Sequence, residues 1–542
     1  MAKYVILAIF VAVLITVGIY SRRRTKTVED FFIGSRTVGP WLSAFAYGTT
    51  YFSAVLFVGY AGKIGYGFGL SSLWIVVGNA LLGTMVAWWL LAKRTRNMTG
   101  RLGALTMPEF LSRRYGSKAI KIAAALIIFI FLVPYSASVY TGLAYLFETV
   151  FKINFTTALW SMATLTAVYL VLGGYLAVAR NDAIQGVVMI VGVIVMIYFV
   201  IKSPEVGGLS HGLSHLKAIN PSLTAAWPGW HFEGSGFTAF LSSPGVELLG
   251  LVLLTSLGAL AHPKMVHKFY AMKDDTVVRQ AIVISTLFAF LMTFGAYFTG
   301  SLSHLFPQVA PLAATKQWDA IMPTVINVAL PSTVVVIVLL LVLSASMSTL
   351  ASLVMVSASV VTVDFVRDEL KPDMSKTAVV TLMRVLVVVF ILLSVLLAQA
   401  KIAIIITMMA ISWGVVSGAF LGPFIWGLYW RRVGKAAAWS GILVGAGFTL
   451  LVGWHYAWNS GYMPVISAIA MLLSLAIVPL VALVTKPASD ECIAAAYGDA
   501  PAAVPTPTPG RAPQREPGLE PEPAPASEPE LALDPSLEPE TV

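Results

Sequence analysis

Cysteine and charged residues are both scarce in this sequence. Its 542 residues include one cysteine, Cys492, which excludes an intramolecular disulfide and a cysteine-ligated metal cluster. Charged residues make up 11% of the chain, about half of the share that is usual in soluble proteins. Hydrophobic residues make up 58% and the mean hydropathy is +0.83. This composition indicates a polytopic membrane protein.

Nucleotide-binding motifs are missing as well. The chain contains no Walker A run and no dinucleotide fingerprint, so we expect neither an enzyme nor an organic cofactor. The net charge of +9 is uneven along the chain, because eleven acidic and three basic residues after Thr485 give that segment −8 and leave +17 for the rest. In a membrane protein such an excess reflects basic cytoplasmic loops, so we expect no nucleic-acid partner.

Apolar runs of about 17–25 residues recur up to about residue 485 and predict about 13 transmembrane helices. Basic loops alternate with loops of low charge, which places the N-terminus outside and the C-terminus inside the plasma (inner) membrane. One of the predicted inner loops holds Lys264 and Lys268. Residues 486–542 are rich in proline and glutamate, and we expect them to form a disordered cytoplasmic tail.

One membrane-length segment, 40–62, has a polar centre at Gly48-Thr49-Thr50. A bilayer cannot satisfy free backbone groups, so an unwound segment persists only where it lines a cavity or is buried in protein. Such a segment can offer carbonyl oxygens to a sodium ion. The alternative is a continuous helix whose small residues pack against a neighbour.

A second polar centre lies in the segment 332–365. Ala345, Ser348 and Thr349 are three and four residues apart, so they share one helical face. They could present one carbonyl and two hydroxyl oxygens to a single point, which suits a sodium ion. The alternative is helix packing, with the hydroxyls bonded to the preceding turn.

The two polar centres would meet if the chain contained two inverted five-helix repeats, 40–201 and 245–429. One extra span, 4–20, would precede the repeats, and two more, within 436–485, would follow them. We therefore predict an all-α membrane protein with the inverted 5+5 repeat, LeuT-like transporter fold.

Four motifs in order make the chain resemble the sodium:solute symporter family over about residues 1–485. The motifs are FFIGSRTVGPW (31–41, with Arg36), GGYLAVARNDAIQG (173–186, with Asp182), SMSTLAS (346–352) and FIWGLYWRRVGKAAAWSG (424–441). The family includes proline, pantothenate, sialic-acid and glucose symporters. The resemblance implies a sodium-coupled secondary transporter that imports a small organic solute by alternating access.

The resemblance also implies a sodium site. Its ligands would be the carbonyls of Thr49, Phe52 and Ala345 and the hydroxyls of Ser348 and Thr349. The helical spacing of Ala345, Ser348 and Thr349 indicates three of these residues independently.

Some relatives hold a second sodium ion near the inner face, with an aspartate at the position of Asp182 and a pair of serines. Here Ser352 is present, but Ala351 takes the neighbouring position, which disfavours a second ion. A gating role, or a cap on the following helix, is the alternative for Asp182.

The solute side departs from the proline symporters, which carry an aspartate at the position of Tyr51. The run Thr49–Gly59 is closer to the pantothenate and monocarboxylate branch, which implies a small organic anion. No arginine or lysine is evident in mid-span to pair with its carboxylate. The candidate solute-binding residues are Tyr51, Ser53, Tyr135, Tyr140, Thr255 and Ala259.

Other functions stay open at this stage. A symporter of the same fold for an amino acid such as proline, or for a sugar, is one alternative, and a transporter-like membrane sensor is another. Proton coupling in place of sodium coupling is also open. We expect a monomer whose partners are a small solute and the lipid bilayer.

Overall fold

The computed structural model describes residues 2–22, 38–172 and 175–498. Arg36 and residues 499–542 of the predicted tail lie outside these ranges. Apart from one isolated bridge between Val38 and Met272, the regular structure in the described ranges is helical.

The helices run in three groups along the chain. The first group is α1 (Ala2–Arg22), α2 (Pro40–Tyr51), α3 (Val55–Gly65), α4 (Tyr66–Phe68), α5 (Trp74–Ala80), α6 (Leu81–Val86), α7 (Trp88–Ala92), α8 (Lys93–Leu102), α9 (Met107–Tyr115), α10 (Lys118–Phe151), α11 (Phe155–Leu172) and α12 (Tyr175–Lys202). The second group is α13 (Leu209–Ile219), α14 (Gly236–Ser242), α15 (Pro244–Ala261), α16 (Pro263–Tyr270), α17 (Val277–Ser301), α18 (Ala310–Ala314), α19 (Ile321–Ala329), α20 (Val335–Ser359), α21 (Val360–Leu370), α22 (Lys376–Gln399) and α23 (Ile405–Tyr429). The last group is α24 (Lys435–His455), α25 (Met463–Val484) and α26 (Asp490–Tyr497). Short 3₁₀ turns at Gly69–Leu73, Pro221–Thr224, Leu302–Leu305, Pro307–Val309 and Trp318–Ala320 connect them.

Ten helical stretches in the described ranges are long and apolar enough to cross a membrane. They are Val55–Leu102, Lys118–Phe151, Val178–Lys202, Pro244–Ala261, Val277–Leu305, Val335–Leu370, Thr377–Gln399, Ile405–Tyr429, Lys435–His455 and Met463–Val484. Two shorter apolar helices are Tyr4–Leu14 and Phe155–Val168. The count of thirteen spans and the orientation of the termini stay predictions.

The helix α20 lies at the centre of the bundle, where it packs against α2, α10, α12 and α22. The most apolar stretch of Val335–Leu370 is 94% buried inside the protein. A polar side chain on α20 therefore faces protein and not lipid, so it requires hydrogen-bond partners from neighbouring helices.

The structure corrects the predicted inner loop after α15. Lys264 and Lys268 lie on α16 and are 0% and 2% exposed. The chain bends at His262, which has extended backbone angles (φ −70°, ψ 124°), and α16 then folds back against α2, α8 and α20. Counting charges in a short polar run could not reveal this packing, because burial there depends on the neighbouring helices.

The segment after residue 485 also differs from the expected tail in its first part. Residues 490–497 form the helix α26, which Ser489 caps through the amide of Cys492. The hydroxyl of Tyr497 donates a hydrogen bond of 2.9 Å to the carbonyl of Gly427, at the end of α23. This contact ties the start of the segment to the bundle.

Candidate functional site

The helix break between α2 and α3 lies at Phe52 and Ser53. α2 starts with Pro40 in its first turn, where the missing N–H is not needed. It stops at Tyr51 because Phe52 has an extended backbone (φ −107°, ψ 150°). The polar run 48–50 remains helical and directly precedes the break. The structure thus contains an unwound segment at Phe52 and Ser53, a few residues after the polar run 48–50 where the sequence suggested it.

Side chains satisfy the amide groups that follow the break. Ala54 N–H donates to Ser346 Oγ on α20 at 2.9 Å, and Val55 N–H donates to Ser53 Oγ at 3.2 Å. Ser53 therefore caps the start of α3, and Ser346 joins this start to the central helix. Both bonds lower the cost of breaking a helix inside the membrane.

The carbonyl groups at the end of α2 point toward cationic and hydroxyl donors. Thr349 Oγ1 donates to Phe52 O at 2.9 Å and to Thr50 O at 3.1 Å. Lys264 Nζ also donates to Thr50 O, at 2.6 Å. The hydroxyl of Thr349 thus bridges the two carbonyls that the break exposes.

A cluster of hydroxyl groups lies next to these carbonyls. Ser348 Oγ donates to Thr49 Oγ1 at 2.9 Å, and Thr49 Oγ1 donates to the carbonyl of Phe45 at 2.7 Å. Thr50 Oγ1 lies 3.3 Å from Ser348 Oγ and 3.1 Å from Ser352 Oγ. All of these hydroxyl-bearing residues are buried, so the cluster is a compact group of oxygens between α2 and α20.

The structure brings four of the five residues predicted to bind sodium together, in two contacting pairs that Thr50 connects, although Thr49 takes part through its hydroxyl and not through the predicted carbonyl. These four are Thr49, Phe52, Ser348 and Thr349, while Ala345 lies one turn earlier on α20 and is fully buried. The donor atoms are hydroxyl and carbonyl oxygens without a formal charge. This set fits a hard monovalent cation such as sodium, and its assignment as the ion site stays a prediction.

Asp182, the predicted second-site or gating residue, is fully buried on α12. Its carboxylate forms an ion pair with Lys268, with 3.3 Å between Oδ2 and Nζ. Ser352, its predicted companion, instead belongs to the hydroxyl cluster through Thr50. The charge of Asp182 is therefore balanced by a lysine of the chain itself.

A small cavity of about 30 Å³ lies beside the break. Four of the six predicted solute-binding residues, Tyr51, Ser53, Tyr135 and Thr255, line it. The remaining lining residues are Phe52, Val55, Leu56, Tyr60, Asn79, Tyr297, Met409 and Trp413. Most of this wall is aromatic or aliphatic with a few polar groups, as is usual for small-molecule sites.

Two predicted solute-binding residues, Tyr140 and Ala259, do not line the cavity. Tyr140 follows Tyr135 by five residues, which turns it by about 140° around α10 and away from the cavity. Ala259 lies one helical turn beyond Thr255 on α15, about 6 Å further along the helix axis. Both are buried in helix packing instead.

A lysine lies next to the cavity, although the sequence had suggested no lysine or arginine near a solute carboxylate. Lys264 is fully buried, and its Nζ donates to Thr50 O at 2.6 Å and to Tyr135 Oη at 2.7 Å. The same ammonium lies 4.5 Å from the centre of the Tyr135 ring. It joins the unwound segment to the wall of the cavity.

Sequence reasoning missed several contributors to the site. Thr50 and Ser346 stand in the polar runs that it identified, but their contacts depend on how α2 and α20 are rotated toward each other. Lys264 carried a weak signal, because it and Lys268 are four residues apart and share one face of a short helix. The wall residues Tyr60 and Trp413 carried none, since aromatic residues are common throughout the spans.

The chain is similar to known proteins in sequence and in fold. The family model described as sodium:solute symporter family matches residues 31–445. A sodium/proline symporter of Haemophilus influenzae is 29% identical over 447 residues, which cover 81% of this chain and 85% of that protein. An osmoregulated proline transporter of Bacillus subtilis is 27% identical over 448 residues, covering 82% of this chain and 87% of the relative.

A solved structure of a Na⁺-coupled sialic acid symporter, substrate-bound and outward-open, has a TM-score of 0.75 to this chain. The match covers 90% of this chain and 98% of that one, at 18% identity. At this identity the likeness shows the fold alone, and it confirms the predicted all-α transporter fold.

Proposed function

The chain belongs to the sodium:solute symporter family, and we propose that it imports a small carboxylate-bearing solute together with sodium by alternating access. As a member of this family it is a multi-pass integral membrane protein that couples solute movement to sodium. The oxygen cluster between α2 and α20 would bind the ion. The adjacent cavity would bind the solute.

The observation that carries this proposal is the dual position of Phe52. Phe52 lines the cavity, and its carbonyl accepts a hydrogen bond from Thr349 in the oxygen cluster. A solute that moves Phe52 would therefore change the geometry of the ion site, and an ion would change the cavity in return. Coupling between two ligands requires such a shared element, and the coupling is reciprocal.

Amino acids resembling proline are the first solutes to consider, because both relatives described above are named for proline. A zwitterion of this kind would place its carboxylate near the cationic side of the cavity. Its ammonium group would need neutral acceptors, since the residues that line the cavity include no aspartate or glutamate.

An organic anion such as pantothenate or a monocarboxylate is the second candidate. The buried ammonium of Lys264 beside the cavity favours it, as does the absence of an acidic side chain among the lining residues. Tyr51 lies where the proline symporters have an aspartate, and its hydroxyl donates to Thr255 O at 2.6 Å. The two candidates share the carboxylate group, which is the chemistry that we propose.

Energetics separates the two candidates. One sodium crossing about 100 mV provides about 2.3 kcal/mol, and a tenfold sodium gradient provides about 1.4 kcal/mol. A zwitterion moving with one sodium uses both terms, about 3.7 kcal/mol together. A monovalent anion with one sodium moves no net charge and keeps the gradient term alone. Dependence on membrane potential therefore distinguishes the two candidates if one sodium is transported.

Uptake into proteoliposomes tests the proposal. The labelled solutes are proline, acetate, pyruvate, pantothenate and a sugar. Each is tested with and without an inward sodium gradient, and with and without an inside-negative membrane potential set by potassium diffusion. We expect sodium-driven uptake of at least one carboxylate solute. Uptake of the sugar alone, or uptake that follows a proton gradient and ignores sodium, would contradict the proposal.

A further inference from the structure

Lys264 and Lys268 lie four residues apart on α16 and are both buried, but only one has a carboxylate of the chain as its partner. Lys268 forms the ion pair with Asp182. Among the described residues, no aspartate or glutamate forms an ion pair with Lys264, whose hydrogen-bond partners are one carbonyl and one phenol. A buried charge is expensive unless it is paired. The ammonium form of Lys264 is therefore one negative charge short, and an anion that supplies this charge would stabilise it.

The hydrogen-bond directions at Lys264 point toward the cavity. An ammonium group can only donate, so the oxygen of Tyr135 must be the acceptor of the 2.7 Å bond. The hydroxyl proton of Tyr135 is then left for another acceptor, and Tyr135 lines the cavity. A phenol that accepts from a cation is a stronger donor in its turn, because the bonds polarise one another. Tyr135 thus holds a polarised donor at the cavity wall, beside the hydroxyl of Ser53, where a solute can accept it.

A purely structural role for Lys264 explains less of this arrangement. A neutral donor at this position could also hold α16 to the carbonyl of Thr50, without the cost of burying a charge. The positive charge has a use if an anion enters the cavity and completes the pair. The bond to Thr50 O then gives the ammonium a second effect, because Thr349 of the oxygen cluster donates to the same carbonyl.

We propose that Lys264, acting through the hydroxyl of Tyr135, is the residue that selects the carboxylate of the solute. This inference rests on the proposed function and names the group that recognises its substrate class. Lys264 positions and polarises Tyr135, and Tyr135 contacts the carboxylate. The solute supplies to Lys264 the counter-charge that Asp182 supplies to Lys268.

The test measures sodium binding to the purified full chain in lipid nanodiscs with ²²Na⁺, so it does not require transport. A solute that binds together with sodium raises the apparent sodium affinity by linkage. The probes are two pairs, L-proline with L-prolinamide and pyruvate with pyruvamide, in which an amide replaces the carboxylate. The first pair represents amino acids and the second represents organic anions.

The variants are Lys264→Met, Lys264→Arg and Tyr135→Phe. The control is Lys63→Met, which removes a half-buried lysine whose Nζ donates to Ser460 Oγ at 3.0 Å and which does not line the cavity. Thr349→Ala reports on the ion site itself.

In the parent protein, the acid of at least one pair should raise the sodium affinity and its amide should not. The loss of a charge-assisted hydrogen bond predicts that Lys264→Met and Tyr135→Phe weaken the acid by about ten- to a hundredfold, to the level of the amide. Lys264→Arg, which retains the charge, should keep the preference for the acid, and so should Lys63→Met. Sodium binding without solute should persist in Lys264→Met, which also shows that this variant is folded.

The outcomes separate this inference from the proposed function. A preference for the acid that is unchanged in Lys264→Met and Tyr135→Phe refutes the inference while leaving sodium coupling intact. If no acid raises sodium affinity in the parent protein, carboxylate selection by Lys264 is also refuted. If the parent protein binds no sodium, or Thr349→Ala binds it like the parent, the ion site under the proposed function fails instead. Equal loss in Lys264→Met and Lys264→Arg would indicate packing in place of charge, and would overturn the inference.

Discussion

Replacing Thr349 by alanine removes the group on which the ion site and the helix break both depend. Its Oγ1 is the donor to Phe52 O at 2.9 Å and to Thr50 O at 3.1 Å, across the interface between α20 and α2. Thr50 O retains the bond from Lys264 in the variant, whereas Phe52 O loses the partner that Thr349 provides. The change therefore acts on the carbonyl that connects the ion site to the cavity.

The expected size of the effect follows from the bonds that are lost. A hydrogen bond or ligand contact that involves a charge contributes about 1.5–3 kcal/mol, which corresponds to an increase of about 10- to 150-fold in the sodium concentration for half-maximal uptake. The lost methyl group adds about 0.8 kcal/mol of destabilisation to the whole fold. Thr349→Ser retains the hydroxyl, so its sodium dependence should stay within a few-fold of the parent protein.

The assay is the initial rate of solute uptake as a function of sodium concentration in proteoliposomes, with equal amounts of each reconstituted variant. Thr293→Ala is the matched control, because Thr293 is a buried threonine of α17 whose hydroxyl bonds within its own helix, to Ala289 O at 2.6 Å. A half-saturating sodium concentration in Thr349→Ala within twofold of the parent value would refute the assignment of Thr349 to the ion site.

Burial raises the pKa of Asp319, in the turn 318–320, to about 7. The folded state holds a proton on this carboxyl, and the resulting stabilisation is complete below about pH 4 and is lost as pH rises through about 7. The melting temperature should therefore fall between about pH 4 and 7. Asp319→Asn should flatten this dependence of melting temperature on pH, and an unchanged dependence in the variant would contradict the assignment. Gly300→Ala would push a methyl group into the backbone of α3 and should destabilise the protein by about 1–3 kcal/mol, measured as a lower melting temperature. In the control Gly67→Ala the added methyl group points into open space, so this variant should have the melting temperature of the parent protein. Asp182→Asn and Lys268→Met should each destabilise the fold by about 3–5 kcal/mol, because a buried charge loses its partner in the ion pair. The double variant should recover much of that loss in the same melting experiment, and strictly additive losses would show that the two groups are not coupled.

The fold could be predicted from the sequence because its signals are local. Long apolar runs predict the spans, and the ordered motifs near Asp182 and Ser348 predict the family and with it the fold. The divisions between helices were harder to predict. Residues Val55–Leu102 form one uninterrupted helical stretch, and Gly69, with its positive φ, redirects the chain inside it without a polar loop.

The contacts of the proposed ion site were more predictable than the wall of the cavity for a physical reason. Ser348 and Thr349 lie on one face of a single helix, so their relation follows from helix geometry. The wall of the cavity comes from several helices far apart in sequence, and the rotation of each helix decides which residues face it. Tyr140 illustrates this point, since it is as suitable in type as Tyr135 and lies five residues further along, yet it does not line the cavity.

Lys264 shows how a rule that is right on average can hide a buried lysine. The positive-inside rule counts lysines after an apolar run as loop residues, and for most such lysines that interpretation is correct. Here the break at His262 ends α15 and lets α16 return into the bundle, so the same lysine becomes a buried cation.

The ammonium of Lys264 donates to Thr50 O, which also accepts from Thr349, and it donates to the phenol of Tyr135 at the cavity wall. The ion site and the solute cavity are therefore joined twice, through Phe52 and through Lys264. A sodium ion and this ammonium would repel each other across one carbonyl, and a carboxylate in the cavity would relieve that repulsion. Such an arrangement makes each ligand favour the binding of the other, which is the thermodynamic requirement for symport.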